Sequence, residues 1–228
     1  MSVESRPPKS SVSILYKDDS YLVVDKPAGL LVVPTPQKEK NTLTDIVNAQ
    51  CRTPQQERIY PCHRLDRETS GVIIYAKGQR NQELLAEQFK HGRISKKYIA
   101  FVQGKLKNPA GEIKSYIRDR EQERFQRDAP AKFAITRYKV LEVRRRFSIV
   151  EVNPVTGRTN QIRIHFSEIK HPLVGERQYA FGKDFELKFR RTALHASEVE
   201  FINPVSRKKV SVTSSLPEDM ESFWSSTH

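Results

Sequence analysis

A chain of 228 residues is long enough for one large domain or two small ones. With 37% hydrophobic and 29% charged residues it reads as a soluble globular protein, and no apolar run reaches the ~20 residues that a membrane-spanning helix needs. A net charge of +13 and a sequence pI near 9.8 argue for a polyanionic partner, most often nucleic acid, without saying which.

Residues 1–11 form a polar N-terminal tail with Pro7-Pro8 and lack the apolar segment of a secretory signal, so a cytoplasmic protein is expected. Residues 13–16 and 21–24 flank Lys17-Asp18-Asp19-Ser20 and predict a β-hairpin. It runs into Asp25-Lys26-Pro27-Ala28-Gly29, a turn signal in which Pro fixes φ and Gly permits a positive one. Thr42-Leu43-Thr44-Asp45 resembles a capping box with Asp in place of Glu and opens a short helix to about Cys51. Cys51 and Cys62 are too few for a disulfide framework and match no zinc spacing, so each is expected as a buried or half-buried thiol.

The densest polar stretch is His63-Arg64-Leu65-Asp66-Arg67-Glu68-Thr69-Ser70-Gly71, and Val72-Ile73-Ile74-Tyr75-Ala76 follows it as a short buried strand. A polar loop feeding a buried strand is a common way to hold reactive groups on a rigid element. Residues 79–91 carry Leu84, Leu85, Gln88 and Phe89 at helical spacing, with Gly92 as the stop. Residues 96–104 read as a strand with basic residues at its mouth, and 105–132 as weakly structured. Within the latter, residues 118–127 have nearly balanced charge and read as a solvated excursion.

Residues 133–143 and 147–152 predict paired strands joined by Arg144-Arg145-Arg146, a surface turn or a phosphate contact. After the turn 153–157, residues 159–169 read as a helix with Ile162, Phe166 and Ile169 on one face and Arg163 off it. Residues 193–202 and 209–213 alternate around Asn203-Pro204, and 216–226 form a last helix anchored by Phe223 or Trp224. Residues 137–211 hold sixteen Lys and Arg against eight Asp and Glu, so the basic charge belongs to a folded surface. Many strands, few helices and non-alternating order predict an α+β fold with a mainly antiparallel mixed sheet flanked by helices. One catalytic domain over 12–217, followed by a C-terminal helix or tail over 218–228, is the simplest organisation.

His63-Arg64-Leu65-Asp66 with Thr69-Ser70-Gly71 resembles the catalytic motif of the RluA-type pseudouridine synthases, whose Asp falls on Asp66. Three further segments match in order. Lys97-Tyr98 is similar to the Lys-Tyr that sets a tyrosine against the target base. Gly157-Arg158-Thr159-Asn160-Gln161-Ile162-Arg163-Ile164-His165 resembles the motif whose second Arg, here Arg163, pairs with the catalytic Asp. Leu194-His195-Ala196 resembles a late core motif. The resemblance spans about residues 12–214. It departs at Asn160, where members commonly have His, and an N-terminal RNA-binding module is not expected, because only about eleven residues precede the first strand.

The resemblance implies the pseudouridine synthase catalytic fold and isomerisation of a uridine in tRNA or rRNA by a monomer, with no metal and no organic cofactor. The N–C glycosidic bond is broken and remade at C5. A carboxylate suits this as a trap for charge at the anomeric carbon or as a base on a sugar carbon, and both roles remain open for Asp66. Arg163 would hold its pKa down and fix its orientation. Tyr98 would stack on the uracil, since a phenol of pKa about 10 is a poor base at neutral pH. Ile162 would floor the pocket. Arg64 would fill the place of the flipped-out base or clamp a phosphate. Arg67, Arg158 and Gln161 are further substrate-binding candidates. His63, His165 and His195 read as hydrogen-bonding scaffold.

Two other readings compete. A metal-dependent RNA hydrolase would use Cys62, His63, His165 and His195, but these show no ligand spacing. A non-catalytic RNA-binding or remodelling protein would fit the charge equally well. It would gain nothing from a carboxylate placed where phosphates approach.

Overall fold

The computed structural model describes residues 11–52, 57–118, 130–180 and 187–226. Residues 119–127 of the charged excursion, and all but residue 11 of the N-terminal tail, lie outside this set. The described chain forms two compact units, one from residues 1–94 and 199–214, the other from 95–198 and 215–228.

In the first unit β1 (Ser13–Lys17) and β2 (Tyr21–Lys26) make the expected antiparallel hairpin. Its turn is closed by Asp18, whose carboxylate accepts from the backbone N–H of Ser20 (2.8 Å) and Tyr21 (2.7 Å). The Tyr16 hydroxyl and the Asn203 amide donate to its other oxygen, and these hydrogen bonds outweigh burial to hold the carboxyl below its usual pKa.

Strand β2 pairs with β4 (Ser70–Lys77), which also takes β3 (Ile59–Pro61), both antiparallel. Residues 21–24 and 73–76 are fully buried, so these strands are apolar on both faces and not alternating. Helix α1 (Leu43–Cys51) opens with the full capping box of Thr42 and Asp45. Helix α2 (Gln79–Lys90) ends before Gly92, which takes φ 64°. Strand β9 (Leu194–Ile202) enters this unit at Val199 and pairs with β10 (Lys209–Thr213).

The second unit holds the strand order β5 (Ser95–Gln103), β8 (Phe147–Pro154), β7 (Lys132–Val143), β6 (Ala110–Ile117), all antiparallel. Period-two alternation sends the two faces into two cores. Ala100, Val102, Val150 and Val152 pack with Ile162 and Phe166 of α3 (Gln161–Glu168). Phe101, Phe147 and Ile149 pack with Met220, Phe223 and Trp224 of α4 (Glu218–Ser226). Full burial of each Val, Ile, Phe or Met side chain in these cores contributes roughly 1.5–3 kcal/mol, and Phe223 and Trp224 are partly buried.

The α+β expectation of mainly antiparallel strands flanked by helices holds. Two local expectations change. Strand β6 lies inside the stretch that looked weakly structured. Its inward set is only Ile113, Ser115 and Ile117, and the outward Glu112, Lys114 and Tyr116 mask the period. Helix α3 begins at Gln161, two residues late, because Asn160 sits at φ 53°, ψ 17°, outside the right-handed region.

Candidate active site

Strand β3 ends at Pro61 and β4 begins at Ser70, so the His63–Thr69 motif is the loop between two paired strands. The loop is pinned at both ends. The Cys62 N–H donates to the Ile74 carbonyl (2.9 Å), and the Ile74 N–H donates to His63 Nε2 (3.0 Å). An accepting Nε2 requires the proton on Nδ1, so His63 is neutral here and its ring rests on Phe89, centroids 4.9 Å apart. Leu65 points inward at 6% exposure, Asp66 is half-buried, and Arg64 and Arg67 are exposed.

Beneath this loop lies Lys26, fully buried. Its ammonium donates to the carbonyls of Pro27 (3.1 Å), Arg67 (3.0 Å) and Thr69 (2.7 Å). An ammonium has three donors, and three carbonyls from two segments converge on them. Gly29 completes the clamp. Its N–H donates to the Arg67 carbonyl (2.8 Å), and its own carbonyl accepts from Arg67 Nε (3.0 Å). The Thr69 N–H closes the turn on the Asp66 carbonyl (3.1 Å). Asp25-Lys26-Pro27-Ala28-Gly29, expected only as a turn, therefore fixes the backbone that follows Asp66, while Ile74 of β4 holds the backbone before it. A lysine next to a Pro-x-Gly turn is a weak signal, and only its burial reveals the role.

In the second unit Tyr98 is half-buried on β5 opposite Val152 and packs on the cluster that contains Ile162, itself 6% exposed. Lys97 forms an ion pair with Glu198 (2.9 Å). Lys96 shares the Tyr98 face of β5. Its amine reaches to 3.6 Å from where a Cβ on Gly157 would sit, and burial pulls its pKa down.

Gln161 is 3% exposed and holds the loop ahead of α3. Its oxygen accepts from the Thr156 hydroxyl (2.6 Å) and the Arg158 N–H (3.0 Å). Its nitrogen donates to the Ile135 carbonyl and Thr136 Oγ1, both at 2.9 Å. Thr136 in turn meets His165 Nδ1 (2.8 Å). Burial lowers the His165 pKa to about 4, so this histidine is a neutral scaffold group. Arg158 is exposed, with Nε on the Phe133 carbonyl at 3.2 Å.

Arg163 is held by a partner the sequence did not announce, Glu176. Nε meets Oε2 at 2.6 Å and Nη2 meets Oε1 at 2.8 Å, a bidentate pair with the Glu176 side chain fully buried. Nη1 donates to Asn160 Oδ1 (2.7 Å), and the guanidinium lies 5.1 Å from the Tyr179 ring. Burial alone would raise the Glu176 pKa. The Arg163 hydrogen bonds and charge, with the N–H groups of Gln178 and Tyr179, bring it below the ordinary value. Gly175, just before Glu176, packs directly on the backbone of residues 189–191. It has φ +79°, and a Cβ there would lie 1.9 Å from the Arg191 carbonyl oxygen. Asn160 accommodates φ 53° and supplies an acceptor for Arg163, so the departure from His has a local use.

Among the described residues, no three His, Cys, Asp or Glu side chains converge as metal ligands. Cys62 is half-buried, and desolvation pushes its thiol pKa up and makes it a poor nucleophile. His195 is also buried, at 1% exposure on β9.

Residues 20–168 match the RNA pseudouridylate synthase family. The chain is 34% identical over 240 residues to a ribosomal large subunit pseudouridine synthase D of Xanthomonas campestris, covering 94% of this chain and 69% of that one. It is 30% identical over 229 residues to a tRNA pseudouridine synthase C of Haemophilus ducreyi, covering 92% and 93%. The solved structure of human RNA pseudouridylate synthase domain containing 1 superposes with a TM-score of 0.74 at 26% identity, covering 92% of this chain and 86% of that one. Matches of this extent leave one conclusion: this chain belongs to the RNA pseudouridylate synthase family, and it is an isomerase that acts on RNA.

Proposed function

We propose that the protein isomerises a specific uridine of tRNA or ribosomal RNA to pseudouridine, with Asp66 as its catalytic carboxylate. The observation that carries the assignment is the Lys26 clamp. A buried ammonium bonded to the carbonyls of Pro27, Arg67 and Thr69 fixes a loop whose half-buried carboxylate lies between two exposed arginines. The substrate class draws on the relatives, one named for the large ribosomal subunit and one for tRNA.

The isomerisation is balanced without an oxidant or reductant. The N1–C1′ bond breaks, the uracil turns, C5 bonds to C1′, and the C5 proton leaves as N1 gains one. Asp66 either adds to C1′ and is displaced by C5, or removes a sugar proton and returns it. In both roles it acts as an anion, and the resemblance assigns Arg163 to pairing with it. Glu176 and Asn160 fix the direction of that guanidinium. Tyr98 offers its ring to the detached uracil, above a floor that includes Ile162. Arg64 and Arg67 serve RNA flanking a base flipped out of its stack, and Arg158 serves a phosphate nearby. Gln161 acts through the loop it holds. The reading carries with it a cytoplasmic monomer acting on an RNA stem-loop.

RNA from cells with and without the protein, mapped for pseudouridine by carbodiimide-dependent reverse-transcription stops, tests this. A stop at one or a few uridines that disappears with the gene and returns with the wild-type protein is expected. Identical maps would remove the substrate assignment.

A further inference from the structure

Tyr116 on β6 and Phe133 on β7 are direct cross-strand partners, with ring centroids 5.3 Å apart at 52°. They are 70% and 42% exposed. The strand period turns them away from the face that buries Ile113 and Thr136 against α3. Single exposed aromatics are ordinary, but two rings packed together and left open to solvent form a contiguous apolar surface.

The surroundings of the pair are cationic. Lys114 and Arg137 share its face and both bridge Glu112, at 2.6 and 2.8 Å. Arg158, which is exposed, bonds to the carbonyl of Phe133 itself. Among the described residues, three cations, Lys114, Arg137 and Arg158, thus stand against one carboxylate around the two rings. Aromatic faces interleaved with Arg and Lys suit unpaired nucleic acid. The rings take the π-face of any base, and the cations take the backbone beside it. A second copy of this chain is a poor occupant, since it would bring the same basic surface against this one.

We propose that Tyr116 and Phe133, with Arg158 beside them, form a stacking platform for an unpaired base of the RNA substrate, separate from the nucleotide that is isomerised. This rests on the reading of the protein as an RNA-modifying enzyme. It adds a specificity element, because a fully paired RNA offers no base to the platform.

The test uses the full chain, fluorescently labelled bulk tRNA from cells lacking the protein, and a perfect RNA duplex of similar length. In the Tyr116→Thr/Phe133→Thr double variant, which keeps strand-favouring residues, tRNA affinity should fall about tenfold to a hundredfold while duplex affinity is unchanged. Turnover at saturating tRNA should stay at the wild-type level. Tyr116→Trp alone should keep tRNA affinity and show indole quenching on binding beyond that of wild type, whose only tryptophan is Trp224. Equal affinity of the double variant for tRNA, or no added quenching in Tyr116→Trp, overturns the platform. So does a wild type that sediments as a dimer and a double variant that sediments as a monomer, which would make the patch a self-association surface. A wild type that binds tRNA through these rings yet makes no pseudouridine would sink the isomerase reading and leave the platform standing.

Discussion

The Asp66 loop and the turn that opens α3 each present a charged side chain, and they are stiffened by opposite means. Around Asp66 the frame is main chain: three carbonyls gathered by one buried ammonium, and two peptide hydrogen bonds from Gly29 and Thr69. Around Arg163 the frame is side chain: Glu176, Asn160 and, one step back, Gln161, Thr136 and His165. A main-chain frame tolerates most changes in the loop's own side chains but fails if the central cation is removed. A side-chain frame spreads the load, so each member is worth less. The difference can be broken or sharpened by substitution.

The largest effect is expected at Asp66 itself. Asp66→Asn keeps the shape and the main-chain frame and removes the negative charge. Pseudouridine formation should fall by several orders of magnitude. RNA affinity should hold or rise, since a repulsive charge is gone. Melting temperature, RNA affinity and product measured on one preparation decide the matter. A stable variant that forms pseudouridine near the wild-type rate ends the catalytic assignment. A variant that merely melts early makes Asp66 structural.

Next comes Lys26→Met, which keeps the stem and deletes the ammonium. The carbonyls of Pro27, Arg67 and Thr69 lose their common donor; Arg67 keeps the Gly29 N–H, and the cost is about 1–3 kcal/mol for each carbonyl left unsatisfied. Loosening the loop should also cost turnover, roughly a hundredfold for an ångström of misplacement. The main-chain frame would lose its functional meaning if the melting temperature dropped and kcat did not.

These two regions also explain what could be read from the sequence. The Asp66 motif is contiguous, so its residues announce themselves within nine positions, and the hairpin, α1 with its capping box, β4 and β7–β8 follow from local patterns. The frames are not contiguous. Lys26 lies forty residues before Asp66, and Glu176 lies thirteen after Arg163 with only Gly175 to mark it. Both are charged residues in buried positions, where sequence pattern argues for the surface. Strand β6 escaped because half its residues face water. The start of α3 was misjudged because an αL residue interrupts the helical path without leaving a Pro or Gly behind.

Glu176→Gln should have a smaller effect than Lys26→Met on turnover, since Arg163 keeps Asn160. It breaks a buried pair, and about 3 kcal/mol is expected, the lower end of the range for such pairs, because Arg163 retains other acceptors. The pH dependence has a definite sign. The folded carboxyl titrates below its unfolded value, so its contribution is full above the unfolded pKa of about 4.3 and is lost as pH falls through the folded one. His165, buried neutral with a pKa of about 4, removes stability from both proteins as pH drops below about 6.5, and this cancels in the difference. The gap in stability between wild type and Glu176→Gln should therefore be constant from pH 7 to pH 5 and close in stronger acid. A gap that does not begin to narrow as pH falls below about 4 would mean the carboxylate's charge is not what stabilises the pair.

The smallest effect is expected at Asn160, and it tests whether the side-chain frame is shared. Asn160→Ala removes the acceptor for Arg163 Nη1 and puts a residue less suited to φ 53° at the entrance of α3. The hydrogen bond to a charged donor contributes about 1.5–3 kcal/mol at most, and the bidentate bond to Glu176 remains to orient the guanidinium. Asn160→Gly separates the two contributions, because it loses the same acceptor but accepts the backbone angle freely. If the frame is shared, both variants should lose only a few-fold in kcat, with KM for RNA unchanged, and Asn160→Gly should be the more stable of the two. Loss of kcat as deep as that of Lys26→Met in both variants would mean that Asn160 alone aims Arg163. The two regions would then differ in chemistry but not in how their load is carried.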